Sequence, residues 1–116
     1  MSQYYVVGDE TVWNPAQGVS QLFLRQVAAF EDIVAQPSGI GPMESDEARI
    51  APAELRAFAD ALLLWRARSR HPVLAALSDG FLATIIALAD RTGVADPTWD
   101  SRLVAAGSEL SRSMSR

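Results

Sequence analysis

The sequence predicts an α+β protein in which an N-terminal β-hairpin packs on a bundle of about four helices. Three observations carry that prediction. Short runs rich in Tyr, Val, Thr and Trp open the chain, helical apolar periodicity follows, and prolines stand where helices begin. At 116 residues, 49% apolar and 21% charged, the chain has the size and composition of one globular domain spanning residues 1–116.

The first run covers Gln3 to Val7 and the second Thr11 to Trp13, with Gly8-Asp9-Glu10 between them as the turn. A two-stranded hairpin is marginal alone, so it requires a helix against it or a third strand. Asn14-Pro15 then reads as a helix start: asparagine caps an early backbone N–H, and proline takes the position that needs no donor. Val19, Leu22, Phe23, Val27, Phe30, Ile33 and Val34 recur at spacings of three and four until Pro37-Ser38-Gly39 closes the segment. The opposite face carries Gln17, Gln21, Arg25, Glu31 and Asp32.

From Pro37 to Glu47 the chain is rich in glycine, proline and acid and reads as its longest loop, with Ala48-Arg49-Ile50 as a brief third strand before Pro52 starts the second helix. Leu55, Phe58, Ala59, Leu62 and Trp65 form that helix's stripe, with Glu54 in its first turn and Arg66, Arg68 and Arg70 at its end, as the helix dipole favours. His71-Pro72 separates it from a third helix marked by Leu74, Leu77, Phe81, Ile85, Leu88 and Ala89 and stopped by Thr92-Gly93. Apolar residues on both faces from Ala83 to Ala89 make this the central helix, with Gly80 as a candidate kink. Asp96-Pro97 is read as the start of a fourth helix carrying Trp99, Leu103, Ala106, Leu110 and Met114, and Ser111 to Arg116 as a frayed end.

Function is narrowed mainly by exclusion. A formal charge of −4 argues against nucleic acid, whose recognition needs surplus basic side chains to displace counterions. No cysteine is present, and the only histidine precedes a proline, so neither a disulfide framework nor a nucleophile–histidine pair is suggested. The expectation is a non-enzymatic cytoplasmic protein with no cofactor, no metal and no membrane contact, no apolar run approaching the roughly 20 residues of a membrane span. All ten basic residues are arginine.

Two candidate sites follow. Glu44, Asp46 and Glu47 form an acidic cluster inside the glycine-rich segment; they lack the alternating ligands of a calcium loop and read instead as the protein-contact surface of an inhibitor- or immunity-type binder, with Trp13 as a half-exposed aromatic anchor. The alternative is a small-molecule or anion site in which Arg66, Arg70 and His71 meet at the junction of the second and third helices, since guanidinium forks match carboxylates and phosphates. Residues 1–60 hold nine acids and three arginines, residues 61–116 five acids and seven arginines. That asymmetry suits a basic protein partner or a second copy of the chain.

The segments Val12-Trp13-Asn14-Pro15, Leu22 to Phe30, Pro37-Ser38-Gly39-Ile40-Gly41-Pro42 and Arg70-His71-Pro72-Val73-Leu74 together resemble a group of small, functionally uncharacterised actinobacterial proteins. The resemblance spans most of the chain. It implies a compact cytoplasmic protein and brings no activity or site residues with it.

Overall fold

A computed structural model describes all residues from Met1 to Arg116. The order of elements is β1 (Tyr4–Val7), β2 (Glu10–Trp13), α1 (Gln17–Val34), β3 (Glu47–Arg49), α2 (Pro52–Ala67), α3 (Pro72–Arg91) and α4 (Ser101–Ser111). The architecture is α+β, a small mixed sheet with four helices. β1 and β2 form the hairpin, joined through Gly8 at φ 58°. β3 pairs parallel to β1, giving the strand order β2-β1-β3. A parallel pair cannot be closed by a tight turn, and here the connection from the hairpin to β3 runs through α1.

One core of 21 buried residues joins the sheet to the helices. Trp13 stacks on Tyr5 at 5.1 Å between ring centroids and meets Phe23 edge-on at 5.2 Å, while Phe81 lies between Phe23 (5.7 Å) and Phe30 (4.5 Å). Phe30 and Ile33 of α1 share a hollow with residues 73–78 of α3, and Val19 to Gln26 share another with Thr84, so the two helices run antiparallel. The Tyr5 hydroxyl meets Ser20 Oγ at 2.7 Å, so the ring's one polar atom is satisfied inside the core. Burial pushes the Tyr5 phenol up to about 12, against a smaller lowering by that hydrogen bond.

Several sequence expectations change on contact with the fold. Helix α1 begins at Gln17, not at Pro15, and its N-cap Ala16 has no side chain to offer. Asn14 and Pro15 instead prolong the sheet's backbone pairing: the Gln3 N–H donates to Pro15 O at 3.0 Å, and Ser2 bridges Ala16. The Asn14 side-chain oxygen is buried and accepts nothing within the chain. Helix α3 runs through Gly80 without interruption. Asp96-Pro97 does not start α4; Asp96 accepts from Thr98 N at 2.8 Å in a local turn, and Asp100 caps the helix by accepting from Arg102 N and Leu103 N. Hydrogen bonds from the Thr98 backbone and hydroxyl, with the Arg56 guanidinium adding to them, hold the Asp96 carboxyl below its ordinary range.

The C-terminal residues, expected to fray, are tied down. Met114 is buried, Asn14 N donates to Ser115 O at 2.7 Å, and Arg91 donates to Val12 O (2.7 Å), Ser111 O (2.8 Å) and Met114 O (2.6 Å). A membrane-length run is also present, contrary to the sequence expectation. Helix α3 has 20 residues and a mean hydropathy of 1.8 over its most apolar window, long and apolar enough to cross a bilayer by length and composition. Half of that window is buried, and nine α3 residues are buried in this fold, the central position its two apolar faces predict.

Candidate functional site

The acidic cluster is a turn. Glu44 and Glu47 exchange backbone hydrogen bonds at 3.0 Å in both directions, and Ser45 and Asp46 between them take φ of 52° and 62°. Two successive residues with positive φ are the geometry of the tight hairpin turn in which short polar side chains are tolerated. Asp46 is fixed further: its carbonyl accepts from Tyr4 N at 2.8 Å and its carboxylate from Gln3 Nε2 at 3.3 Å. Asp46 therefore leads the chain into β3 beside β1, while Glu44 and Glu47 are exposed. Nowhere do three His, Asp or Glu side chains gather into a group able to hold a metal ion.

Trp13 is not the half-exposed anchor that its neighbouring turn residues suggested. It is 5% exposed, registered opposite Tyr5 in the sheet and enclosed by Tyr5 and Phe23. Trp99 is buried as well, donating from Nε1 to Asp60 Oδ1 at 2.8 Å beneath the Arg56 guanidinium. Arg56 also pairs with Asp60 and Asp96 and donates to Val94 O, so this cluster binds α2 to the segment ahead of α4.

Arg66, Arg70 and His71 are not brought together. The Arg66 guanidinium grips Asp79 through Nε at 2.7 Å and Nη2 at 3.3 Å, with Nη1 on Ser69 O at 3.3 Å. That hydrogen-bonded carboxylate raises the Arg66 pKa. His71 accepts from Val73 N at 3.2 Å through Nδ1 and so caps α3. Arg70 is exposed. Arg66 lines a hollow of about 360 Å³ with Asp79, Asp100 and Arg102, whereas His71 lines a different, almost wholly apolar hollow of about 430 Å³ with Phe30, Ile33, Trp65 and Leu77.

That second hollow belongs to the feature the sequence concealed. Eight large hydrophobic residues are exposed; Val19 and Leu22 line a hollow between α1 and the end of α4, and Ile33, Val73 and Leu77 line one between the end of α1 and the start of α3. Leu22 is 62% and Leu77 76% exposed. Beneath them lie the rings of Phe23, Phe30 and Phe81, and toward the other end a hollow of about 310 Å³ is lined by Trp13, Val19, Leu22, Thr84, Leu110 and Met114. Single exposed leucines are ordinary on a folded protein; here several gather at two hollows, with Gln26 between Leu22 and Ile33 on α1.

The fold and this surface define a small α+β protein with exposed apolar hollows beside α1. The chain belongs to the family of unknown function DUF6086, whose match extends over residues 1–116. No curated protein and no solved structure matches it significantly.

Proposed function

We propose that this chain is a non-enzymatic protein-interaction module that works in the cytoplasm of an actinobacterial cell and docks through the α1/α3 face. The observation carrying this reading is the concentration of exposed Val19, Leu22, Ile33, Val73 and Leu77 along two antiparallel helices. Helix-in-groove recognition uses such a strip, with apolar anchors supplied from one face of a partner helix. The exposed carboxylates of Glu44 and Glu47 lie on a rigid turn and contribute a charged contact of secondary importance, since rim charges affect association rate and selectivity more than affinity.

Affinity capture from the native host lysate, with a parallel solution mass, tests this reading. The unaltered chain is compared with Leu22→Glu/Leu77→Glu and with Glu44→Lys/Glu47→Lys, each checked for folding by circular dichroism. Loss of the bound protein, or of self-association, in the first variant is the expected result. Undiminished binding in the first variant and loss in the second moves the interface to the acidic turn and overturns the assignment to α1/α3.

A further inference from the structure

We infer that the exposed face of α1, at the edge of the α1/α3 hollows, packs against α1 of a second copy of this chain, lying antiparallel about a two-fold axis near Ala29; this rests on the reading of that face as a docking surface. Helix α1 is built symmetrically for such a pairing. Arg25 and Asp32 are exposed, and neither is used by the chain's five ion pairs. They stand two helical turns apart, on one border of the apolar strip, with their midpoint between residues 28 and 29. Leu22 and Ile33, three turns apart on the strip itself, have their midpoint between residues 27 and 28. Two features of different chemistry thus share one centre to within a single residue, a rise of about 1.5 Å.

An antiparallel copy placed on that centre meets both requirements at once. Leu22 faces Ile33 of the partner subunit, Arg25 faces Asp32 of the partner subunit, and the two-fold repeats each contact in reverse. Beside the axis stands Ala29, exposed between the apolar strip and the charged border, whose small side chain lets two helices approach closely. A heterologous partner helix has no reason to match a symmetric arrangement of opposite charges. A second copy carries it by construction.

The test uses the full chain. Sedimentation across a concentration series should rise toward twice the 12.5 kDa chain mass. Because the chain contains no cysteine, Ala29→Cys introduces a single thiol; beside the axis, the paired residues come within the roughly 4.4–6.8 Å between Cα atoms that a disulfide requires, so mild oxidation should cross-link it. Ala105→Cys, exposed on α4, should stay uncross-linked under the same conditions. Arg25→Asp and Asp32→Arg should each weaken dimerisation on the order of tenfold, since symmetry doubles the effect of each reversal, and the combined variant should recover most of that loss. A monomeric mass at the highest attainable concentration, or a combined variant as weak as the singles, overturns the pairing. If the chain is monomeric but Leu22→Glu/Leu77→Glu still releases a different captured protein, the docking face stands and the second copy falls. If that variant alters neither mass nor capture, both fall.

Discussion

Replacing Gly39 with alanine tests the connection between α1 and β3, the segment whose acidic and glycine-rich composition is otherwise unexplained. Gly39 has φ of +75°, and a Cβ there would sit 2.6 Å from Ala51 O, 2.7 Å from Glu54 Cβ and 2.9 Å from Leu55 N. Two costs follow. A left-handed conformation costs a residue with a Cβ about 1–2 kcal/mol. The clash is with the backbone and first side-chain carbon at the start of α2, which no rotamer can relieve, and forcing such a contact costs typically about 1–3 kcal/mol. Gly39→Ala should therefore lose about 2–5 kcal/mol, a large part of the 5–15 kcal/mol typical of a domain. Gly93→Ala separates the two contributions, because Gly93 has φ of +78° with nothing within 4 Å of its Cβ position, so it should lose only the conformational part. Urea unfolding followed by tryptophan fluorescence reads both: at a slope of about 1–3 kcal/mol per molar urea, the midpoint of Gly39→Ala should lie well below that of Gly93→Ala. Equal midpoints would refute the close approach of residue 39 to α2.

Other consequences can be measured on the same protein. Arg91→Met should cost about 3 kcal/mol by stranding carbonyls at the end of α4 and in β2, and Arg91→Lys should recover only part of it, because a point charge cannot reach three segments; urea midpoints of the two variants check the order. Tyr5 has a folded pKa of about 12 against an ordinary value near 10, so its neutral form is favoured by folding: the contribution is complete below pH 10 and is lost as pH rises from 10 to about 12, on the order of 3 kcal/mol at most. Tyr5→Phe should flatten the stability profile in that window, and an unchanged slope would remove Tyr5 as its source. Asp96 is held below its ordinary pKa, so its contribution is present above about pH 4 and lost as pH falls through the lower folded value. Asp96→Asn should be less stable at neutral pH yet lose less on acidification, as thermal melts from pH 6 to 3 would show. Gly80→Ala, exposed within a continuous helix and with an open Cβ position, should gain up to about 1 kcal/mol in the same urea assay.

The readable parts of the fold were those set by local chemistry. Pro52 and Pro72 open their helices as proline at the first helical position should, and Leu55, Phe58 and Leu62 face the core at the helical period. The errors lie where distant residues decide. Asn14-Pro15 has the local form of a helix start, but residues 2 and 3 recruit its backbone into the sheet. Trp13 stands beside turn residues, a local sign of exposure, yet its register opposite Tyr5 encloses it. The apolar stripe of α1 was legible, but periodicity alone cannot say which part of a broad stripe is covered. Phe23, Val27 and Phe30 meet the core, while Val19, Leu22 and Ile33, one step around the same helix, do not. The acidic cluster was found by composition, but its tight turn depends on pairing between Glu44 and Glu47 and on Gln3 across the sheet.

The grip of Arg91 on Val12, Ser111 and Met114 works as a non-covalent clasp, holding residues about one hundred positions apart. Small proteins often close loops of that length with a disulfide, whose strength depends on the redox state of its surroundings. A guanidinium on backbone carbonyls has no such dependence, being indifferent to thiols, although burial lowers the Arg91 pKa from its ordinary value. This cysteine-free chain therefore holds its two ends together by a closure that does not respond to reducing or oxidising conditions.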